Sequence, residues 1–220
     1  MDREQARAAA PIASVRSNPL SAQANKVAAV TFGFWILKIL TTTAGDLSGD
    51  ALSISLGLGY AIALIVTVSA AVILLIVQIR AKRFHAPLYW ILMLSTSAAG
   101  AEISDSIDRG LHWGNPAGTG FLFLCVLVTL GVWHGRRGAL GVYPINRRRD
   151  ELFYWAAAIV ANSLGSALGD LLGSTLGLGV LGGTLVFLAV LAVLLVLYRT
   201  TRLSTGLLFW SGFVVARIPF

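Results

Sequence analysis

Charged residues are scarce in this chain, because Asp, Glu, Lys and Arg make up 12% of its 220 residues, whereas 56% are hydrophobic. In soluble globular domains, by contrast, about 25% of residues are charged. The mean hydropathy of the chain is +0.78. This composition excludes an ordinary soluble domain and indicates a protein that lies in a membrane.

Cysteine is almost absent, because Cys125 is the only one, and the sequence contains three histidines. A single cysteine excludes an intramolecular disulfide and a cysteine-rich metal cluster. The sequence also lacks the Walker A, HExxH, CxxC and GxSxG patterns that accompany common catalytic sites. We therefore expect no enzyme, no catalytic residue and no resident cofactor.

Acidic residues are fewer than basic ones, with 10 Asp and Glu against 17 Lys and Arg. A basic excess can indicate a nucleic-acid partner. Here, however, 14 of the 17 basic residues fall in the N-terminal tail and in the segments 80–83, 136–149 and 199–202. Basic residues that recur in alternate loops follow the positive-inside rule. The pattern predicts that the N-terminus and these segments are cytoplasmic, and it favours contact with anionic lipids over nucleic acid.

Apolar runs are abundant, and most approach the length of about 20 residues that crosses a bilayer. They lie at 27–47, 53–79, 87–104, 117–133, 152–172, 176–198 and 205–220. This spacing divides the chain into a polar cytoplasmic tail (1–26), a first pair of helical hairpins (27–133, made of 27–79 and 87–133), a basic cytoplasmic linker (134–150) and a second pair (151–220, made of 151–198 and 205–220). The lipid bilayer is thus the expected partner.

An internal repeat underlies these hairpins. An aromatic residue followed by tryptophan opens four of the runs, at Phe34-Trp35, Tyr89-Trp90, Tyr154-Trp155 and Phe209-Trp210. Ten residues after each of the first three tryptophans stands a glycine, and fifteen residues after stands an aspartate: Gly45, Gly100 and Gly165, then Asp50, Asp105 and Asp170. The tryptophans are 55, 65 and 55 residues apart. We read this as a duplicated pair of parallel hairpins, whose aromatic pairs serve as anchors at the membrane interface.

This aromatic-Trp, Gly, Asp hairpin resembles the four-fold repeat of a family of bacterial integral membrane proteins of unknown function. The resemblance covers nearly the whole chain after residue 26, and it implies four hairpins and eight helices in the bacterial inner membrane, but no particular activity. The fourth copy departs from the pattern, because the chain ends at Phe220, ten residues after Trp210. We therefore expect an all-α integral membrane protein with about seven transmembrane helices and the eighth missing. A homo-oligomer, or a partner chain that completes the fourth repeat, is expected with it.

A polar stripe runs along the first helix of each hairpin. Positions 3, 7, 11 and 15 after each tryptophan share one helical face, because they are spaced by four. The polar and charged residues at these positions are Lys38, Thr42, Asp46, Asp50, Ser97, Asp105, Asn162, Ser166, Asp170 and Arg217. Polar groups are costly in lipid, and the glycines at position 10 permit close helix packing. The first helices are therefore predicted to line a central axis, with apolar second helices outside them.

The aspartates at position 15 are the candidate functional groups. A continuous helix places them about 22 Å beyond the tryptophan, near the outer end of the protein. Grouped carboxylates need a proton or a positive partner, and Lys38, Arg217 or a bound cation would supply one. Carboxylate oxygens suit Mg²⁺, Ca²⁺ or Mn²⁺.

These residues predict a transporter of a small cation, either a divalent metal or a proton. Asp50, Asp105 and Asp170 would be the metal ligands or proton carriers, and the transported ion would take the place of a cofactor. The path would be lined by Lys38, Thr42, Asp46, Ser97, Asn162, Ser166 and Arg217, with packing by Gly45, Gly100 and Gly165.

Other interpretations stay open on the sequence alone. Asp170 can instead cap the helix that follows it. Lys38 can snorkel towards the interface or pair with Asp46 or Thr42. A membrane scaffold that transports nothing, or an inactive truncated protein, is the alternative function.

Overall fold

The structure is a computed structural model that describes residues 25–138, 140–142, 145, 147–201 and 203–217. Most of the predicted polar tail and the last three residues of the fourth copy lie outside these ranges. The described residues form seven α-helices and no strand: α1 (Phe32–Asp50), α2 (Gly59–Arg80), α3 (Ala86–Asp105), α4 (Asn115–Arg137), α5 (Arg148–Asp170), α6 (Gly179–Thr200) and α7 (Thr205–Val215). The predicted all-α fold of repeated helical units is confirmed.

Each complete hairpin turns in the same way. The helices α1, α3 and α5 end at the repeat aspartate and continue into one π-helical turn, at Ala51–Ser55, Ser106–Gly110 and Leu171–Thr175. The carboxylates of Asp50 and Asp170 make no capping hydrogen bond there. Capping of the following segment, one of the two roles considered for Asp170, is therefore not seen.

Left-handed backbone closes the first and third hairpins. Gly57 and Gly59 have φ of +66° and +75°, and Gly177 and Gly179 have +69° and +64°. Glycine adopts this conformation without a steric penalty. The Gly-Leu-Gly sequence that copies one and three share, at 57–59 and 177–179, therefore marks the turn. In copy two the first of these positions is His112, which has φ of +59°.

Four helical segments are long and apolar enough to cross a membrane among the described residues: α2, α4, α5 with its π-helical turn, and α6. The helix α7 is apolar but shorter. Charged side chains explain why α1 and α3 do not reach the same hydropathy, since α1 carries Lys38, Asp46 and Asp50, and α3 carries Glu102 and Asp105. About seven spans were expected, and the described residues contain four that length and composition alone identify as compatible with a membrane.

The helices form an inner ring and an outer layer. In the ring, α3 packs on α1, α5 on α3 and α7 on α5. The ring closes from α7 back to α1, where the ring centroids of Phe209 and Trp35 are 5.6 Å apart. Each outer helix packs on the first helix of the next hairpin, α2 on α3, α4 on α5 and α6 on α7. Neighbouring hairpins are thus interlocked, which turns the repeat in the sequence into one closed body.

The helix α1 has a face that differs from those of the other inner helices. Leu37 and Leu40 are exposed, whereas their register equivalents on α3, Leu92 and Ser95, are buried. On α3 this face is covered by α2. The apolar face of α1 is compatible with contact to lipid.

Candidate functional site

The inner ring holds a layer of polar side chains at its centre, which we call the buried polar layer: Thr42, Ser97, Asn162 and Arg217. All four stand at position 7 after a tryptophan, one from each inner helix or its end. Ser97 Oγ lies 3.0 Å from the backbone oxygen of Thr42, and an Arg217 N–H donates to the backbone oxygen of Asn162 at 3.0 Å. Thr42 Oγ1 lies 2.7 Å from Lys38 O on its own helix and 3.2 Å from Ala216 O at the end of α7, so its single proton can be donated to either oxygen.

Lys38 lies next to this layer and points into the protein. Its side chain is buried, and Nζ donates to Asn162 Oδ1 at 2.9 Å. The ammonium also lies 4.0 Å from the centroid of the Phe213 ring, a favourable cation–π contact. The amide of Asn162 continues to Thr96 Oγ1 at 3.3 Å. The lysine is therefore not a snorkelling residue, and its partner is Asn162 rather than Asp46 or Thr42.

A buried ion pair joins Arg217 and Asp46. Both side chains are almost fully shielded from solvent, and Ser97 Oγ donates to Asp46 Oδ1 at 2.9 Å. This pair ties α1 to the end of α7, with α3 contributing the hydroxyl. Because Lys38 is buried nearby, the centre of the ring holds two basic side chains and one acidic one.

Above the buried polar layer, the ring opens into a cavity of about 160 Å³, which we call the carboxylate pocket. The repeat aspartates of all three complete copies line it, as do Asp46, Arg109, Ser166 and Arg217. The structure thus brings Asp50, Asp105 and Asp170 to one place. The predicted lining residue Ser166 is there too, whereas Lys38, Thr42, Ser97 and Asn162 lie deeper in the ring.

Arg109 bridges two of the three carboxylates. Its guanidinium lies 3.0 Å from Asp105 Oδ2 and 3.5 Å from Asp170 Oδ2. It also donates to the hydroxyl of Tyr60 at 3.4 Å. No ion pair to Asp50 occurs within the described ranges. The sequence analysis did not assign Arg109 to the site, although it is the sole basic residue of the predicted outer loops.

Among the described residues, no group of three His, Cys, Asp or Glu side chains lies close enough together to hold a metal ion. The three repeat aspartates share a pocket but not a coordination sphere, and Arg109 pairs with two of them. A metal at these residues stays a prediction.

The glycines at position 10 bring the inner helices together. A Cβ atom on Gly45 would lie 2.5 Å from Leu94 O, and one on Gly165 would lie 2.5 Å from Val214 O. On Gly100 it would lie 2.9 Å from the Cβ of Asn162. Each glycine therefore faces the next inner helix, and this approach lets the side chains of the buried polar layer reach backbone groups across the ring.

Three segments of the chain, 33–84, 88–139 and 153–204, match a family described as a repeat of unknown function (DUF347). Together they cover well over half of the chain, and their starting points repeat the tryptophan spacings of 55 and 65. The chain belongs to this family. The resemblance to a repeat family of unknown function, drawn from the aromatic-Trp, Gly, Asp pattern, is confirmed for the three complete copies. No curated protein and no solved structure matches the chain.

The aromatic pairs of the DUF347 repeats close the other end of the ring, which we call the aromatic end. Tyr89, Tyr154, Trp155 and Trp210 are almost completely buried, and the hydroxyls of Tyr89 and Tyr154 are hydrogen-bonded. The expected role as interfacial anchors is therefore wrong for these residues. They pack against one another across helices, for example Tyr89 on Trp155 at 5.3 Å between ring centroids. The residues that line the carboxylate pocket include none of these aromatic side chains.

Two further acids of the DUF347 repeats are buried near the carboxylate pocket. Glu102 on α3 packs against Gly49 of α1, and Asp108 packs against Gly118 of α4. Neither belongs to the stripe at positions 3, 7, 11 and 15. Acidic residues are concentrated at this end of the helices, and that pattern could have indicated Glu102 and Asp108. Spacing by four from the tryptophan does not include them.

Proposed function

We propose that this DUF347 repeat protein is a multi-pass membrane protein that moves a small cation, and that the carboxylate pocket is where the cation enters. The observation that carries the proposal is the convergence of Asp50, Asp105 and Asp170, one from each complete repeat, on a single cavity. Ionisable residues inside membrane segments face a protein interior or an aqueous path and mark functional sites by default.

The proton is the cation that the site supports best. Arg217 lines the base of the pocket and Lys38 lies below it, and a positive charge there repels a divalent metal ion more strongly than a singly charged proton. A proton needs only groups that can donate and accept it in turn. Asp46 lines the pocket and is hydrogen-bonded to the hydroxyl of Ser97, so these two groups can accept a proton at the base of the pocket. A divalent metal is the second candidate, because carboxylate oxygens are its preferred ligands.

Arg109 is the basic residue that pairs with the repeat aspartates of the carboxylate pocket. Its side chain is 42% exposed although Asp105 is buried, so the guanidinium can reach water when it leaves the aspartates. A cation that takes its place would compensate the carboxylates that it leaves. Exchange between Arg109 and the incoming cation is the step that we assign to the pocket.

We place the protein in the bacterial inner membrane with its aromatic end in the cytoplasm. Arg80, Arg136, Arg137 and Arg199 stand at the ends of helices on that side, whereas Arg109 stands at the other. This asymmetry is the one that the positive-inside rule describes, and it puts the carboxylate pocket on the outer face.

A membrane scaffold is the alternative, and one observation favours it. Each member of the buried polar layer is engaged by hydrogen bonds to neighbouring helices, and the aromatic end is densely packed. Polar side chains that make their hydrogen bonds to other helices of the same protein also stabilise the association of helices in a membrane.

The decisive experiment measures cation flux into liposomes that contain the purified protein. A pH-sensitive dye reports protons and a metal-sensitive dye reports Mn²⁺, each under an imposed gradient. Wild type is compared with Asp105→Asn and Asp170→Asn, and with Asp150→Asn at the aromatic end as the matched control. We expect flux to fall at least tenfold in the two pocket variants and to persist in the control. Wild-type flux no greater than that of empty liposomes, for both cations, would leave the scaffold as the function.

A further inference from the structure

A second concavity, of about 700 Å³, opens at the aromatic end beside the basic linker. Four arginines line it: Arg136 and Arg137 from the end of α4, and Arg147 and Arg149 from the start of α5. The other lining residues are Trp133, Asp150 and Phe153. We call this concavity the arginine pocket. Four guanidinium groups therefore face one acidic side chain.

The linker that builds this pocket is an addition to the repeat. Trp90 and Trp155 are 65 residues apart, whereas the other neighbouring tryptophans of the repeat are 55 apart. The connections between α2 and α3 and between α6 and α7 are short, yet they also carry basic residues. A topology signal is thus available without the extra ten residues. Their presence calls for a separate explanation.

The described part of the linker is held firmly in place. Asn25 and Ile145 are joined because the Ile145 N–H donates to Asn25 Oδ1 at 2.8 Å, and Lys26 pairs with Glu151 at 2.8 Å. Leu140 is packed so closely on Gly206 that a Cβ there would lie 2.4 Å from Leu140 O. The arginines therefore project from an anchored frame.

The electrostatics of the pocket are unbalanced. Arg147 is the N-cap of α5 and makes no capping hydrogen bond. The first turn carries two further arginines and two acids, Asp150 and Glu151, of which Glu151 is already paired with Lys26. Cations are disfavoured at this positive end of the helix dipole, and the first backbone N–H groups of a helix lack acceptors within it. The one acid of the lining, Asp150, lies 3.8 Å from Arg137. An anion between the two helix ends would relieve both the repulsion and the unfilled N–H groups.

Aromatic side chains form one wall of the pocket. Arg136 lies over the ring of Phe153, which stacks on the fully buried Trp133. The indole N–H of Trp133 has no hydrogen-bond partner among the described residues, and the same is true of Trp155 and Trp210, which do not line the pocket. The pocket thus combines positive charge with an aromatic wall.

We propose that the arginine pocket binds a phosphate-bearing anion, presented by an anionic phospholipid headgroup or by a soluble phosphorylated compound. Guanidinium groups bind phosphate oxygens in pairs and keep their charge at any physiological pH. The concavity has room for a phosphate group together with part of the molecule that carries it. This site does not depend on the proposed cation transport.

The test compares three full-length proteins in detergent micelles: wild type, the pocket variant Arg147→Gln/Arg149→Gln, and the control Arg80→Gln/Arg199→Gln. The control loses the same charge at the same end, in the last turns of α2 and α6. The pocket variant removes cations from the positive end of α5, so its thermal stability should not fall. Native mass spectrometry measures retention of phosphatidylglycerol against phosphatidylcholine, and calorimetric titration measures binding of inorganic pyrophosphate.

We expect the pocket variant to weaken binding at least tenfold and the control to weaken it less than threefold. A phosphatidylglycerol effect identifies a lipid ligand, and a pyrophosphate effect identifies a soluble one. Arg136→Gln, on a different helix, should weaken the same ligand at least threefold. The proposal fails if wild type binds neither probe, or if the control loses as much binding as the pocket variant.

Discussion

Two polar layers of the inner ring are built from the same repeat and differ in how their charges are partnered. In the buried polar layer, Arg217 pairs with Asp46 and bonds to Asn162, and Ser97 supplies a further donor. In the carboxylate pocket, Arg109 is partly exposed and pairs with two of the three aspartates, Asp105 and Asp170.

The difference separates a structural element from a candidate site. A closed network of buried hydrogen bonds fixes helices relative to one another, and removing one member leaves the others unsatisfied. The carboxylates of the carboxylate pocket outnumber the guanidinium that pairs with them, so they can still bind a cation. The repeat thus gives the same helices one layer for stability and another for exchange with the surroundings.

The largest expected effect comes from removing the ion pair of the buried polar layer. Arg217→Met leaves Asp46 buried without its partner, and we expect a loss of about 3–5 kcal/mol in the free energy of unfolding. The matched variant Arg109→Met removes a guanidinium that is 42% exposed and leaves carboxylates that line an open pocket, so the expected loss is smaller, about 1 kcal/mol. Thermal unfolding in detergent checks both. Similar losses for the two variants would contradict the distinction between the layers.

A double variant sharpens this result. Asp46→Asn/Arg217→Met removes both charges, while the amide introduced at position 46 keeps an oxygen for the Ser97 hydroxyl. We expect it to recover most of the stability lost in Arg217→Met, because the cost lies in the uncompensated charge rather than in the absence of the pair. A double variant as unstable as the single one would show that Arg217 acts through packing.

A smaller effect is expected where the helices approach each other between the layers. Gly100→Leu forces a side chain into the space held by Asn162, and overpacking of this kind costs about 1–3 kcal/mol. Gly120 on α4 is the matched control, because a Cβ there would meet no atom within 4 Å. Thermal unfolding should distinguish Gly100→Leu from Gly120→Leu. Equal stability of the two variants would mean that close approach at Gly100 does not hold the ring together.

The register of the repeat predicted which residues meet. Spacing by four placed Thr42, Ser97, Asn162 and Arg217 on one face, and the structure brings them into one layer. It likewise brings the aspartates at position 15 to one pocket. Helical periodicity is a local property, so a sequence with three copies in register is sufficient to place these groups at equal heights.

Other features depend on neighbours that periodicity does not specify. Tyr89 and Trp155 look like interfacial anchors when each helix is taken alone, and they are buried because the inner helices bring them into contact. The packing of each outer helix on the next hairpin depends in the same way on how repeats interlock. Arg109 reaches two repeats at once, which copy-by-copy comparison does not anticipate.

The smallest expected effect distinguishes the individual carboxylates of the carboxylate pocket. Asp105 lies 3.0 Å from Arg109, whereas Asp50 lines the same pocket without an ion pair in the described part of the chain. Removing the charge of Asp50 relieves repulsion from its neighbours, whereas removing that of Asp105 also loses an attraction. Asp50→Asn should therefore raise the free energy of unfolding by more than Asp105→Asn does, and the difference should be less than about 1 kcal/mol. Thermal unfolding at low salt resolves such a difference best, because salt screens charges that water reaches. Equal changes in the two variants would mean that Arg109 interacts with Asp50 as it does with Asp105.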